Sequence, residues 1–210
     1  MNRRGTYAKG AAKREEILVV ALEVVAKRGC RKATLSEIAE RVGLTQPGLT
    51  HHFSSREELF QEVLRARDTR DHAEYNPPNR GFDGFLAVMR HNMEVPGLVQ
   101  LYAEFAAEAS IPDHPAHDFF VERYAWVRGV IAAAIGRSQE QGEMGLDLDV
   151  AEAADLIVVA ADGLQVQWLH DPTTDMLGRL SRMWALLRRS SWSVGDAGPG
   201  DEPAGTGLIP

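Results

Sequence analysis

The sequence predicts an all-α protein of about nine helices, with an amino-terminal helix-turn-helix head and a larger helical body. Apolar residues recur three or four positions apart in one segment after another from Ala12 to Leu187, which is the period of an amphipathic helix. Glycine and proline separate neighbouring segments, as at Gly29, Gly43 and Pro96. No segment alternates polar and apolar residues over the length of a strand, so the pattern excludes a half-buried sheet.

Charge is divided unequally along the chain. The 210 residues have a formal net charge of −7, yet residues 1–56 contain 11 Lys or Arg against 5 Asp or Glu, and residues 57–210 contain 12 against 25. A basic head on an acidic body is typical of proteins that bind DNA through one end. The single cysteine, Cys30, excludes an intramolecular disulfide. With no membrane-length apolar run and no secretory signal, we expect a cytoplasmic protein.

The chain begins with a short basic segment and a first helix. Residues 1–11 are basic and lack an apolar pattern, which predicts a flexible arm that either contacts DNA or has no role. From Ala12 to Arg28 the apolar residues follow helical spacing, and Gly29 ends the helix. The predicted head core combines this helix with the two that follow, through Ile17, Val20, Ala21, Val24, Leu35, Ile38, Leu49 and Phe53.

Residues 34–53, TLSEIAERVGLTQPGLTHHF, contain two helix starts and a tight turn. Thr34 is a favourable N-cap, and Glu37 completes a capping box. Gly43 ends this second helix in the left-handed conformation. Thr45 then caps a third helix, whose first turn accommodates a proline. The segment is therefore predicted to form a helix-turn-helix.

The third helix is the candidate DNA-reading element, because its exposed side chains can bond to phosphates or base edges. Gln46 is the candidate for base contact, since its amide can pair with an adenine edge. Thr45, Thr50, His52 and Arg56 are the candidates for phosphate contact. Protonated imidazoles attract phosphate, so we expect operator affinity to rise as the pH falls. The full set of candidate DNA-binding residues is Thr34, Thr45, Gln46, Pro47, Gly48, Thr50, His51, His52 and Arg56.

A fourth helix is predicted to begin at Ser55, where the SREE sequence forms a second capping box with Glu58. Its charged continuation ends before the NPPNRG segment. We place the boundary between head and body within this helix, which therefore belongs to both. The predicted divisions are a flexible basic arm at 1–11, a DNA-binding domain at 12–68, a ligand-binding and dimerisation domain at 69–192, and a disordered tail at 193–210.

Five further helices are predicted in the body. Their apolar stripes lie within residues 82–93, 98–106, 117–140, 150–168 and 176–187. The fourth of these is apolar on more than one side, because Val158, Val159 and Val166 flank its main stripe. We expect this helix to be covered both by its own chain and by a partner.

The body also contains side chains suited to a small-molecule pocket, which usually combines apolar walls with a few polar groups. Ordinary helical core is the alternative for each of them. Aromatic residues near Glu104 would suit a cationic ligand. The HPAHD segment follows a proline-broken turn and is not assigned as a metal site. The candidate ligand-binding residues are Met89, Met93, Tyr102, Phe105, Phe120, Tyr124, Gln165 and Trp168.

Two other classes of function are alternatives to a DNA-binding regulator. The chain contains no phosphate-binding glycine loop, nucleophile elbow, H-E-x-x-H sequence or paired cysteines. No catalytic residue, metal or cofactor is therefore assigned. A helical enzyme without such a motif, or a helical dimeric adaptor or small-molecule-binding protein without an operator, is the alternative.

Over Ala12 to Leu64 the chain resembles the TetR family of bacterial transcriptional regulators. The family's T-x-x-x-I-A-x-x-x-G-[LV] segment, its glycine-containing recognition helix ending in H-F, and its capped [KR]-E-x-L helix are matched here by TLSEIAERVGL, TQPGLTHHF and SSREELF. ADGLQVQWLHDP, from Ala161 to Pro172, looks like the penultimate dimer helix of one branch of the family. His51 departs from the pattern, since the family usually has a tyrosine there as a phosphate contact.

The resemblance implies a homodimer that binds a pseudo-palindromic operator, with two recognition helices about 34 to 36 Å apart or a multiple of that distance. It implies that the last two helices of each subunit, about 150–170 and 174–190, form the dimer interface. It also implies that a small molecule in the body shifts the helix that begins at Ser55 and so releases DNA. The effector, the operator sequence and the regulated genes are not specified by the resemblance.

Overall fold

The computed structural model describes residues 3–75 and 80–189. Over these ranges the chain forms nine α-helices, one turn of 3-10 helix at Cys30–Lys32, and no strand, which confirms the predicted fold class. The predicted break at NPPN and the predicted disordered tail lie outside the described residues. The helices are α1 (Arg3–Arg28), α2 (Leu35–Arg41), α3 (Gln46–Thr50), α4 (Arg56–Tyr75), α5 (Gly81–Glu94), α6 (Leu98–Glu108), α7 (His117–Glu140), α8 (Val150–His170) and α9 (Met176–Leu187).

The first helix is longer than its apolar pattern indicates. It begins at Arg3 rather than at Ala12, so the structure corrects the expectation of a flexible arm for residues 3–11. The basic residues and alanines of this segment are strong helix formers, and they extend a helix that is already anchored by its apolar stripe. Residues 1 and 2 lie outside the described part of the chain.

The head does not have a closed core of its own. Ile17, Ala21, Val24, Ile38, Leu49 and Phe53 are buried as predicted, while Val20 and Leu35 are partly buried at the edge of the same cluster. Leu98, Leu101 and Phe105 of α6 belong to this cluster as well. The ring of Phe105 meets that of Phe60 on α4 edge to face, with 5.6 Å between centroids. One helix of the body therefore packs directly into the head.

A second hydrophobic cluster joins α5, α7, α8 and α9. The rings of Phe82 and Trp184 stack at a centroid distance of 4.1 Å, which ties the start of α5 to α9. Asp149 caps α8 by accepting bonds of 2.8 and 2.9 Å from two backbone N–H groups. Asp175 caps α9 in the same way, at 2.8 Å from the N–H of Gly178. These caps fix where the last two helices begin.

Helix α8 buries one side and exposes apolar residues on the other. Val158 lies in the second cluster, with 5% of its surface exposed. Val159 and Val166 are 69% and 48% exposed, and Leu156 and Leu169 are exposed as well. The single chain thus leaves uncovered the side of α8 for which the sequence predicts a partner.

Among the described residues, no helix is both long enough and apolar enough to cross a membrane.

Candidate DNA interface and ligand pocket

The start of α2 follows the predicted cap only in part. The Thr34 hydroxyl accepts a bond of 3.2 Å from the N–H of Glu37, as an N-cap does. The Glu37 carboxylate accepts bonds from Arg28 and Arg41, at 3.4 and 2.8 Å. The acidic residue of the capping box thus holds α2 to the end of α1.

The turn between α2 and α3 is set by Gly43. Its φ of +68° is left-handed, a conformation that L side chains rarely adopt. The N–H of Gly43 bonds to the carbonyl of Glu40 at 3.2 Å, and the N–H of Leu44 bonds to that of Ala39 at 2.8 Å. These two bonds are the Schellman arrangement that ends a helix. They fix the direction in which α3 leaves the turn.

The recognition helix α3 starts as the sequence predicts. The Thr45 hydroxyl accepts the N–H of Gly48 at 3.2 Å, and Pro47 occupies the first turn. A Cβ on Gly48 would lie 3.3 Å from that hydroxyl oxygen. The absence of a side chain at this position therefore leaves room for the capping hydroxyl of Thr45. Leu49 is fully buried and anchors the helix in the head.

Most of the candidate DNA-binding residues are accessible to a partner. Thr34, Thr45, Gln46, Pro47, Thr50 and His51 are exposed, and Gly48 and His52 are partly buried. The hydroxyl of Ser36, a residue not predicted for this site, donates a 2.7 Å bond to the side-chain oxygen of Gln46. That bond holds the amide of Gln46 in place and leaves its NH₂ group to donate elsewhere. The Thr50 hydroxyl donates to the carbonyl of Pro47 at 3.0 Å.

Two basic residues of α1 donate hydrogen bonds to the backbone of the helix-turn-helix. Lys13 donates a 2.6 Å bond to the carbonyl of Val42 at the end of α2. Arg14 donates to the carbonyl of His52, and its guanidinium lies 4.1 Å from the centroid of the Phe53 ring. The positive charge of α1 is therefore partly structural. Sequence patterning gave no signal for either contact.

Arg56, a candidate for phosphate contact, joins the head to the body in this structure. Its guanidinium donates a 2.8 Å bond to Glu108, the last residue of α6, and a 3.2 Å bond to the carbonyl of Cys30. The Glu104 carboxylate, also on α6, accepts the N–H of Cys30 at 2.7 Å. Burial raises the pKa of the Cys30 thiol to about 12, so this cysteine stays a neutral packed group. Glu104 is thus engaged here rather than beside a ligand.

A second close contact between α6 and the head occurs at Gly97. This residue has a φ of +80°. A Cβ added there would lie 2.7 Å from the carbonyl oxygen of Leu22 and 2.8 Å from the nitrogen of Ala26. Both of those atoms belong to the backbone of α1. Only glycine allows α6 to approach α1 so closely.

A pocket in the body lies among α4, α5, α6, α7 and α8. Of the predicted ligand-binding residues, Met89, Tyr102, Tyr124 and Gln165 line it. Phe105 and Phe120 instead lie in the hydrophobic cluster shared with the head, and Met93 packs at the edge of the second cluster. Trp168 is partly exposed on α8 and does not line the pocket. These four residues do not line this pocket, because helical spacing alone does not separate core from cavity.

The polar residues of the pocket form two groups, which include three charged residues that the sequence did not indicate, Asp68, Arg123 and Asp162. The Arg123 guanidinium donates two bonds, of 2.7 and 2.8 Å, to the carboxylate of Asp68 on α4. The Tyr102 hydroxyl donates to Asp162 on α8 at 2.7 Å. Burial raises the pKa of Asp162, although the hydroxyls of Tyr102 and Tyr124 oppose this effect. Asp68 therefore has a hydrogen-bonded cation partner, while the hydrogen bonds that Asp162 accepts come from the neutral side chains of Tyr102 and Gln165.

The HPAHD segment uses its histidines within the fold. His114 accepts the N–H of Ala116 at 3.1 Å, and a ring nitrogen of His117 lies 3.0 Å from the carbonyl oxygen of Ala109. In the part of the chain that the structure describes, no three His, Cys, Asp or Glu residues are grouped as metal ligands would be.

Comparison with known proteins agrees with this arrangement. The family model described as bacterial regulatory proteins, tetR family, matches residues 17–63, which run from the second half of α1 into the first part of α4. The transcriptional repressor BepR of Brucella suis is 25% identical over 183 residues, which are 80% of this chain and 85% of that protein. The match therefore extends well beyond the head.

Solved structures share the complete fold. A TetR-family regulator from Rhodococcus superposes with a TM-score of 0.69 at 22% identity, covering 85% of this chain and 99% of that one. SmeT, in its complex with triclosan, superposes with a TM-score of 0.68 at 19% identity, covering 91% of this chain and 99% of that one. The similar proteins are regulators, so neither an enzyme nor an adaptor without an operator is favoured. The chain is a DNA-binding transcriptional regulator, and residues 17–63 of its head match the TetR family.

Proposed function

We propose that the protein is a homodimeric repressor that binds a palindromic operator through α3 and releases it when a small molecule occupies the pocket among α4, α5, α6, α7 and α8. The observation that carries this proposal is the position of α4. Its first residue, Arg56, contacts the head, and Asp68 and His72, farther along the same helix, line the pocket. One helix thus extends from the DNA-binding head to the ligand site.

The DNA-binding role of α3 rests on its exposed polar surface. Gln46 stands at the start of the helix, where a side chain can reach base edges in the major groove. Thr34, Thr45 and Thr50 surround it with exposed hydroxyls, which suit phosphate oxygens. We assign base contact to Gln46 and backbone contact to the threonines and to His51 and His52.

The homodimer rests on the uncovered apolar side of α8. Leu156, Val159 and Val166 are exposed along one helix, and an apolar patch of this kind usually marks an interface. A second copy that packs its own α8 and α9 there would give a two-fold axis. A two-fold axis in the protein matches a palindrome in the operator.

The coupling between the two sites rests on α4 and α6. The Arg123–Asp68 bonds fix α4 to α7 beside the pocket, and Glu104, Glu108 and Gly97 fix α6 to the head. A ligand that spreads the pocket would move α4, and the separation of the two heads would change. Such a ligand releases DNA only if it binds the released arrangement more tightly than the DNA-bound one.

The proposal is tested by footprinting the full-length protein on the DNA that flanks its own gene. We expect a protected palindrome whose half-sites are one or more helical turns apart. Replacing Gln46 with Ala should cost about 1–3 kcal/mol of operator binding and relax the sequence preference at one base pair in each half-site. Gln141→Ala, at the exposed end of α7, is the matched control. Protection without sequence preference, or equal binding by both variants, would contradict the proposed role of α3.

A further inference from the structure

The pocket contains more negative than positive charge on its walls. Asp68 and Asp162 are its two carboxylates, and Arg123 is its one guanidinium, among the described residues that line it. Arg123 donates two hydrogen bonds, of 2.7 and 2.8 Å, to the two oxygens of the Asp68 carboxylate. A bidentate pair of this kind is a strong and directional contact. Asp68 and Arg123 therefore largely neutralise each other.

The hydrogen bonds that Asp162 accepts come from neutral groups, and the Arg123 charge, which is paired with Asp68, acts on it only through space. The Tyr102 hydroxyl donates to it at 2.7 Å, and the Gln165 amide donates to the same oxygen at 3.3 Å. Burial raises the pKa of this carboxyl group, which means that its surroundings do not fully compensate its charge. A partly buried carboxylate that has no cation bonded to it is stabilised when a ligand places a cation beside it.

The walls around Asp162 suit the rest of such a ligand. Phe85, Val127 and Val158 are apolar, and Tyr124 and Trp126 add aromatic surface. Aromatic faces attract cations as well as apolar groups. The Tyr102 face is already covered by Arg123, whose guanidinium carbon lies 4.6 Å from the ring centroid.

We infer that the effector is a hydrophobic organic cation, an amine or quaternary ammonium group on an apolar body, and that its charged nitrogen pairs with Asp162. This inference rests on the proposed function for the pocket's role as effector site. An organic anion is the opposite solution, and it would have to separate Arg123 from Asp68. Breaking that pair would leave the Asp68 carboxylate of α4 without its cation partner.

The test uses three ligands with one apolar body, 4-phenylbutylamine, 4-phenylbutan-1-ol and 4-phenylbutyrate, titrated calorimetrically into the full-length protein at pH 7. We expect the amine to bind about tenfold more tightly than the alcohol, and the acid to bind most weakly. In Asp162→Asn, whose side chain keeps the same shape, the preference for the amine over the alcohol should disappear. Asp155→Asn removes the same charge from the exposed part of α8 and should leave the preference unchanged.

A second variant tests the charge balance independently. Asp68→Asn leaves Arg123 without its carboxylate partner, so the acid should gain affinity relative to the alcohol. Failure of the amine to bind more tightly than the alcohol, including no measurable binding of either, overturns the inference. An amine preference that persists in Asp162→Asn overturns it as well.

The calorimetry requires no DNA, so it can fail separately from the proposed function. If the protein binds its operator but shows no preference for the amine, the inference of a cationic effector is overturned and the proposed repressor function stands. If the protein prefers the amine but protects no operator, the proposed repressor function is overturned and the recognition of a cationic ligand by Asp162 stands. Amine binding that depends on Asp162 and also weakens operator binding supports both.

Discussion

Arg56 at the start of α4 donates a hydrogen bond of 2.8 Å to Glu108 at the end of α6. The same guanidinium bonds to the carbonyl of Cys30, and Arg31 lies 3.7 Å from the Glu108 carboxylate. A body helix therefore engages two cations of the head. Because phosphates attract the same groups, Glu108 and DNA compete for Arg56 wherever both can reach it.

Glu108→Gln is expected to strengthen operator binding. The amide keeps the size of the carboxylate but attracts Arg56 less, so that Arg56 can neutralise one phosphate in each subunit. The slope of log K against log salt should then steepen by about 0.9 for each added phosphate contact. Fluorescence anisotropy at four salt concentrations measures this slope. Glu140→Gln removes a charge at the far end of α7 and is the control, and equal slopes for the two variants would show that Arg56 stays with the body.

Gly97→Ala is expected to destabilise the protein by about 1–3 kcal/mol. The added Cβ would lie 2.7 Å from the Leu22 carbonyl oxygen and 2.8 Å from the Ala26 nitrogen, so α6 must move away from α1. Urea unfolding measures the change in free energy. Gly129→Ala on α7 is the control, because a Cβ there meets nothing within 4 Å and alanine favours the helix by up to about 1 kcal/mol. Equal stability for the two variants would mean that the α1–α6 contact yields without cost.

Asp162→Asn is expected to raise the melting temperature at pH 7 by about 2 °C. The pKa of Asp162 is raised by burial, so the folded protein holds this proton more tightly than the unfolded chain does. By linkage, the wild-type protein loses stability as the pH rises from the ordinary Asp pKa through the raised one. The advantage of the variant should therefore be absent near pH ~4 and grow as the pH rises. A melting-temperature difference that grows toward acid pH would contradict the assignment, and Asp155→Asn controls for the lost charge.

Local signals predicted the helix-turn-helix because each of them acts over three to five residues. The Thr34 and Thr45 caps and the left-handed Gly43 involve bonds to the next turn of the chain. The exposed valines of α8 were predicted for a similar reason, since helical spacing alone places Val159 and Val166 beside the main stripe. Such features can be read without knowing how the helices pack.

The contacts that join the sites depend on packing, and the sequence could not supply them. Arg56 and Glu108 are 52 positions apart, Asp68 and Arg123 are 55 apart, and Tyr102 and Asp162 are 60 apart. Nothing in the spacing of the chain selects these pairs from many other charged and polar residues. The bonds of Arg56 to the body and the position of Asp162 beside Tyr102 could not be predicted for this common reason.

His51→Tyr is expected to reduce the pH dependence of operator binding. His51 is exposed at the end of α3, with its ring centroid 6.0 Å from that of His52. Protonated imidazoles attract phosphate, so wild-type affinity should rise as the pH falls from about 8 to 6 at constant salt. The tyrosine variant retains a hydrogen-bond donor at this position, and its operator affinity should depend less on pH. Anisotropy titrations in one buffer series measure it, and a wild-type affinity that is constant across this range would remove histidine from the phosphate contacts.

Val159→Asp is expected to convert the dimer into a monomer. Val159 is the most exposed valine of α8, at 69%, and a homodimer through α8 would bury one new carboxylate from each subunit without a partner. Dissociation should become at least about a hundredfold more favourable, and sedimentation velocity at micromolar concentration measures it. Val121→Asp, on α7 at 55% exposure, adds the same charge elsewhere and should remain dimeric. If both variants sediment as dimers, the interface lies on another surface, whereas a monomeric Val159→Asp that also loses operator protection would connect the α8 interface to DNA binding.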